Sequence, residues 1–68
     1  MPIVEITLVS GRSPQELRAM ISAVTKAVSE TVAAPVSAVR VIVREVPAAH
    51  FAAGDVTIAE RKASVPVT

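Results

Sequence analysis

The chain has 68 residues, so it holds one domain at most, and its 51 % hydrophobic content separates it from disordered, charge-rich segments. A net charge of +1 and a lone aromatic residue, Phe51, supply neither the basic footprint nor the stacking platform of a nucleic-acid binder. With no Cys and one His, disulfides are excluded and a structural zinc site lacks ligands.

Below roughly 70–80 residues a single core rarely supplies more than about 3–5 kcal/mol. With staples unavailable, association with other chains is the remaining route to stability, and the surplus of Val, Ile and Ala suits buried subunit interfaces. No apolar run reaches the roughly 18–20 residues of a membrane span. The opening Met-Pro-Ile-Val-Glu is not a signal peptide, so the expectation is a cytoplasmic protein with residues 1–68 as one domain.

Pro2 to Val9 reads as a mostly buried strand, with Ile6 and Leu8 on one face and Ile3, Glu5, Thr7 and Val9 on the other. Proline is tolerated at a strand's first position because its missing N–H need not break a ladder. Ser10-Gly11-Arg12 is a turn. Ser13 is then a good N-cap, Pro14 suits the first helical position, and Glu16 completes a capping box. Leu17, Ile21, Val24, Val28 and Val32 form one helical stripe, so the helix should run from about Pro14 to Val32 and stop before Pro35. Residues 36–38 make a short connector, with room for one helical turn.

Val39 to Val46 is a second, β-branched strand that carries Arg40, Ile42, Arg44 and Val46 on one face. Pro47 ends it. His50 to Asp55 reads as a loop or tight hairpin, and Val56 to Thr68 as a tail of mixed character, with Pro66 against a regular element at its end. Strand, long helix, strand is a βαβ unit, with parallel strands and a right-handed crossover. Two strands and one helix cannot persist alone in water, so the free sheet face and edges call for partner chains.

Pro2-Ile3, Gly11-Arg12-Ser13 before the helix, Ala34-Pro35 after it, Val39-Arg40-Val41-Ile42 in the second strand and His50-Phe51 beyond it occur in order in this short chain. On these residues, from Pro2 to about Gly54, it resembles the 4-oxalocrotonate tautomerases of the tautomerase superfamily. The resemblance implies an α+β fold: a parallel two-stranded βαβ unit with one long helix and a C-terminal hairpin, assembled into an oligomer. It implies a hexamer built as a trimer of dimers, homomeric or mixed, with sites at subunit boundaries. It also implies that Pro2, freed by loss of Met1, is the catalytic base, that Arg12 and Arg40 bind and polarise the substrate, and that Phe51 lines the pocket. The substrate would be a small carboxylate, the setting the breakdown of aromatic compounds, and no cofactor or metal is called for. The chain departs from the pattern in Ala52-Ala53-Gly54-Asp55, where a more Gly-rich turn is expected, and in its Val-Pro-Val-Thr ending.

The residue types suit that chemistry. A proton shift through a dienol needs a base with a pKa near 7, and a proline secondary amine is more basic than that. Removal from water and nearby positive charge both lower an amine's pKa; Phe51 offers the first and the two arginines the second. A depression of about 1.5 units corresponds to roughly 2 kcal/mol. One guanidinium can grip a carboxylate through paired hydrogen bonds, and another can stabilise a developing oxyanion. Plainer readings stand beside these. Arg12 could be a solvated turn charge, Arg40 an interface ion pair with Glu5 or Glu45 of another chain, and Phe51 ordinary core. Arg44 reads as structural, His50 as a surface histidine, and the Leu17–Val32 stripe as packing. Two alternatives share the fold: the same site serving hydration, dehalogenation or decarboxylation of a related acid, where activating water usually wants a further carboxylate and the sequence offers Glu5, Glu45 and Asp55 without placing them, or a non-catalytic subunit of a mixed oligomer.

Overall fold

A computed structural model describes residues 1–64. Strand β1, Ile3–Val9, pairs in parallel with β2, Arg40–Val46, in a register that sets Ile3 opposite Arg40 and Val9 opposite Val46. Helix α1, Pro14–Thr31, makes the crossover. Alternation places Val4, Ile6 and Leu8 of β1 and Val41 and Val43 of β2 in the half-buried set, while Ile3, Glu5, Thr7, Arg40, Ile42 and Arg44 face outward.

Local chemistry sets both ends of α1. The Ser13 hydroxyl accepts from the Glu16 N–H at 3.1 Å and the Glu16 carboxylate accepts from the Ser13 N–H at 2.9 Å, the reciprocal capping box the sequence spells out. Leu17, Ile21, Val24 and Val28 are half-buried as the stripe requires, but Val32 is 60 % exposed at the C-cap and does not join it. Ala33 closes the helix in the left-handed region at φ 55, and the Ala34 N–H donates back to the Ser29 carbonyl at 3.2 Å, the six-to-one bond of a Schellman stop. The connector Val36–Ala38 is a 3₁₀ turn.

After β2 a second 3₁₀ turn, Ala48–His50, leads into a small antiparallel hairpin of β3, Ala52–Ala53, and β4, Val56–Thr57. Gly54 and Asp55 form its two-residue loop with φ 60 and 66, the paired left-handed conformation that a type I′ turn needs. The tail departs from expectation: Val56 and Thr57 are strand, and Ile58–Ser64 forms helix α2. The cause is a second capping box, in which Thr57 Oγ1 accepts from the Glu60 N–H at 3.0 Å and Glu60 Oε1 accepts from the Thr57 N–H at 2.8 Å. The expectation about Pro66 lies outside the described residues.

This C-terminal arm packs chiefly on itself and on the 48–50 turn, and Arg61 Nη2 donates to the Ala53 carbonyl at 3.3 Å. The radius of gyration is 15.8 Å, against about 11 Å for a compact chain of this length. Among the described residues none is fully buried, and Ile3, Ile42 and Val36 are 56, 41 and 62 % exposed.

Candidate active site

Pro2 enters β1 from outside the ladder. Its carbonyl accepts the Arg40 backbone N–H at 2.9 Å, so the first residue of β2 holds the residue just ahead of β1. Parallel pairing makes this unavoidable: both strands start at the same end of the sheet, and Pro2 and Arg40 start with them. Met1 precedes Pro2 and is 79 % exposed, so in the encoded chain the Pro2 nitrogen is an amide.

Arg40 lies on the outward face, and its Nη1 donates to the Ser37 carbonyl at 2.7 Å. The ion pair on this face belongs to Arg44 instead, whose Nη2 lies 3.7 Å from Glu5 Oε1. Both partners are more than half exposed, where such a pair contributes about 0–1 kcal/mol. The structural reading of Arg44 thus has a partner within its own chain.

Arg12 is placed elsewhere. It follows Gly11, whose φ of 135 turns the chain, and precedes the Ser13 cap beyond the far end of β1. At about 3.3 Å per residue, β1 alone puts roughly 20 Å between its ends, more than an arginine side chain can span. Within one chain Arg12 therefore cannot reach Pro2. Phe51, about one-third exposed, belongs to the segment that leaves the C-terminal end of β2, and its carbonyl accepts from the Ile58 N–H at 2.8 Å. A single chain thus brings Pro2 and Arg40 together and keeps Arg12 apart.

Shallow grooves run along α1, lined by Pro14, Gln15, Arg18, Ala19 and Ser22 and by Ile21, Thr25, Lys26 and Val36 with Arg18 and Ser22. Neither includes Pro2, Arg12, Arg40 or Phe51. The hydrogen bonds from Ser13 hold the Glu16 carboxyl below its ordinary pKa, with a smaller contribution from the Arg12 charge. Those from Thr57 do the same for Glu60. Sequence reasoning missed the Ser37 carbonyl as a partner for Arg40, because a backbone acceptor leaves no residue-type signal. Among the described residues no three His, Cys, Asp or Glu side chains gather where an ion could sit, and no helix is long and apolar enough to cross a membrane.

The architecture and the Pro2–Arg40 pairing define a small βαβ protein with a proline at the strand entrance. The model of the tautomerase enzyme family matches residues 2–61. TomN, a solved 4-oxalocrotonate tautomerase homologue in the tomaymycin biosynthetic pathway, is 49 % identical with a TM-score of 0.90, over 93 % of this chain and 97 % of its own. A 2-hydroxymuconate tautomerase of Stutzerimonas stutzeri is 41 % identical over 54 residues, 79 % of this chain and 86 % of its own length. A heterohexamer 4-oxalocrotonate tautomerase from Chloroflexus aurantiacus superposes with a TM-score of 0.85 at 32 % identity, over 88 % of this chain and 97 % of its own. The chain belongs to the 4-oxalocrotonate tautomerase family, and as a tautomerase it is an isomerase.

Proposed function

We propose that this protein converts an unsaturated 2-hydroxy acid, a dienol, to its 2-oxo form without a cofactor, with Pro2 as general acid and base once Met1 is removed. The observation that carries this reading is the 2.9 Å bond from the Arg40 N–H to the Pro2 carbonyl, which ties the base-bearing residue to the backbone of an arginine at the same end of the sheet. The relative named for 2-hydroxymuconate supports the substrate class. With Met1 gone, Pro2 is a secondary amine whose ring aims its lone pair. It takes the hydroxyl proton of the dienol and returns a proton to carbon, leaving a conjugated 2-oxo acid. Arg40 and Arg12 share the tasks of gripping carboxylate and stabilising enolate charge, and their charge keeps the amine neutral enough to act. Phe51 excludes water at the pocket wall.

Because one chain keeps Arg12 away from Pro2, the complete site draws on more than one subunit. We infer a hexamer of three dimers. The exposed Ile3 and Ile42 support it, and the Chloroflexus neighbour described as a heterohexamer keeps a mixed assembly as the second reading. We place the protein in the cytoplasm and in the breakdown of aromatic compounds.

Mass spectrometry of the native protein should show loss of Met1. Pro2→Ala should then lower kcat/KM for a dienol acid by at least about 100-fold, with the assembly unchanged. Retained Met1 in an active protein, or full activity in Pro2→Ala, would overturn the mechanism. A panel with haloacrylates beside dienols tests the hydration, dehalogenation and decarboxylation readings; turnover of a haloacid alone would replace the tautomerisation assigned here.

A further inference from the structure

We propose that the backbone carbonyl of Ser37 is a positioning group for Arg40, fixing one end of the guanidinium so that its Nε–Nη2 edge is presented to a substrate carboxylate. This rests on the reading of Arg40 as a substrate-binding cation.

In the 3₁₀ turn of residues 36–38, the Ala38 N–H donates to Pro35 at 2.9 Å and the Val39 N–H to Val36 at 3.1 Å. The next bond in that series would run from the Arg40 N–H to the Ser37 carbonyl. It does not form, because the Arg40 N–H goes to the Pro2 carbonyl instead. The Ser37 carbonyl is left as an end-of-turn acceptor, and the Arg40 side chain folds back to satisfy it through Nη1 at 2.7 Å. Residue 40 therefore holds Pro2 with its peptide group and is itself aimed by the turn that delivers it.

The chemical consequence follows from the shape of the guanidinium. It carries five N–H donors in a rigid plane. Using Nη1 on Ser37 leaves Nε and Nη2, which lie side by side and match the spacing of two carboxylate oxygens. A side-on grip is thus favoured over an end-on grip through both terminal nitrogens. The anchor also rests on a stiff base, since Pro35 enters the turn with φ at −64, where its ring locks it.

The test uses the full protein and a dienol acid. Proline at position 37 drives Val36 out of the helical region and opens the turn. Ser37→Pro should raise KM about tenfold with a smaller change in kcat, the loss expected for a hydrogen bond to a charged group. In an Arg40→Ala background the same substitution should add nothing. Equal losses in both backgrounds would mean that the turn matters only for folding, and the proposal fails. If Arg40→Ala itself leaves kcat/KM intact, the substrate-binding reading of Arg40 fails first. Nitrogen-15 NMR of the unmodified protein gives a check independent of any variant. Rotation about the Arg40 Cζ–Nη1 bond should be slower than for Arg18, and equal rates would overturn the anchor.

Discussion

Ala33 sits at φ 55, a conformation that costs an L-residue roughly 1–2 kcal/mol and that glycine takes freely. Ala33→Gly should therefore raise stability by about 1 kcal/mol despite the greater freedom glycine gives the unfolded chain. Thermal unfolding at fixed protein concentration measures it, and an unchanged or lowered midpoint would show that the helix stop carries no strain. At the same scale, Pro2 and Arg40 were legible as residue types in a pattern, and their adjacency follows once the strands are parallel. The sequence set Arg44 apart from Arg40 as structural, but the partner each one takes was not legible. Both stand on one strand face, and only the 3₁₀ turn beside Arg40 and the diagonal reach of Glu5 to Arg44 decide which one pairs with a carboxylate. The separation of Arg12 from Pro2 could have been read from β1 alone, since its seven residues lie between the two.

Elements were legible where a periodic apolar face met a cap. Helix α1 has both, and its start at Pro14 follows from Ser13 and Glu16. Helix α2 has a cap without a face: Thr57-Ile58-Ala59-Glu60 repeats the spacing of Ser13 to Glu16, but Arg61 and Lys62 interrupt any apolar stripe, so periodicity alone leaves a tail. Ser13→Ala should cost about 1 kcal/mol of stability, read in the same thermal assay; no loss would show that the box is redundant with packing. Acid should act on both boxes. Glu16 and Glu60 have lowered pKa values in the folded chain, so the stability they add is fully present above the unfolded carboxyl pKa, about 4.3. It is lost as pH falls through the folded value. Glu16→Gln keeps an acceptor for the Ser13 N–H while removing the charge, so it should flatten part of the midpoint's decline below about pH 4. A decline as steep as in the parent would place the acid sensitivity elsewhere.

For the molecule as a whole, the absence of any fully buried described residue makes folding and association one process. The unfolding midpoint should rise with protein concentration, and a midpoint independent of concentration would show that a single chain suffices. Ile42→Asp, placed at the centre of the outward sheet face, should dissociate the assembly and remove activity together, as sedimentation and a dienol assay would register; an active, assembled variant would show that this face stays open to solvent. The need for partner chains was legible from length and composition. Which faces they cover was not, because a lone chain shows where apolar surface is left over and not what meets it.

The length of β1 has a genetic corollary. Because the strand parts Arg12 from Pro2, the proposed mechanism requires that two variants, one lacking the proline and the other lacking the arginine, be inactive with complementary defects. Unfolded together and reassembled at random, they should regain activity at about a quarter of the sites, where a subunit with an intact proline meets a neighbour with an intact arginine. Silence from every such mixture would mean that both groups serve from one polypeptide after all.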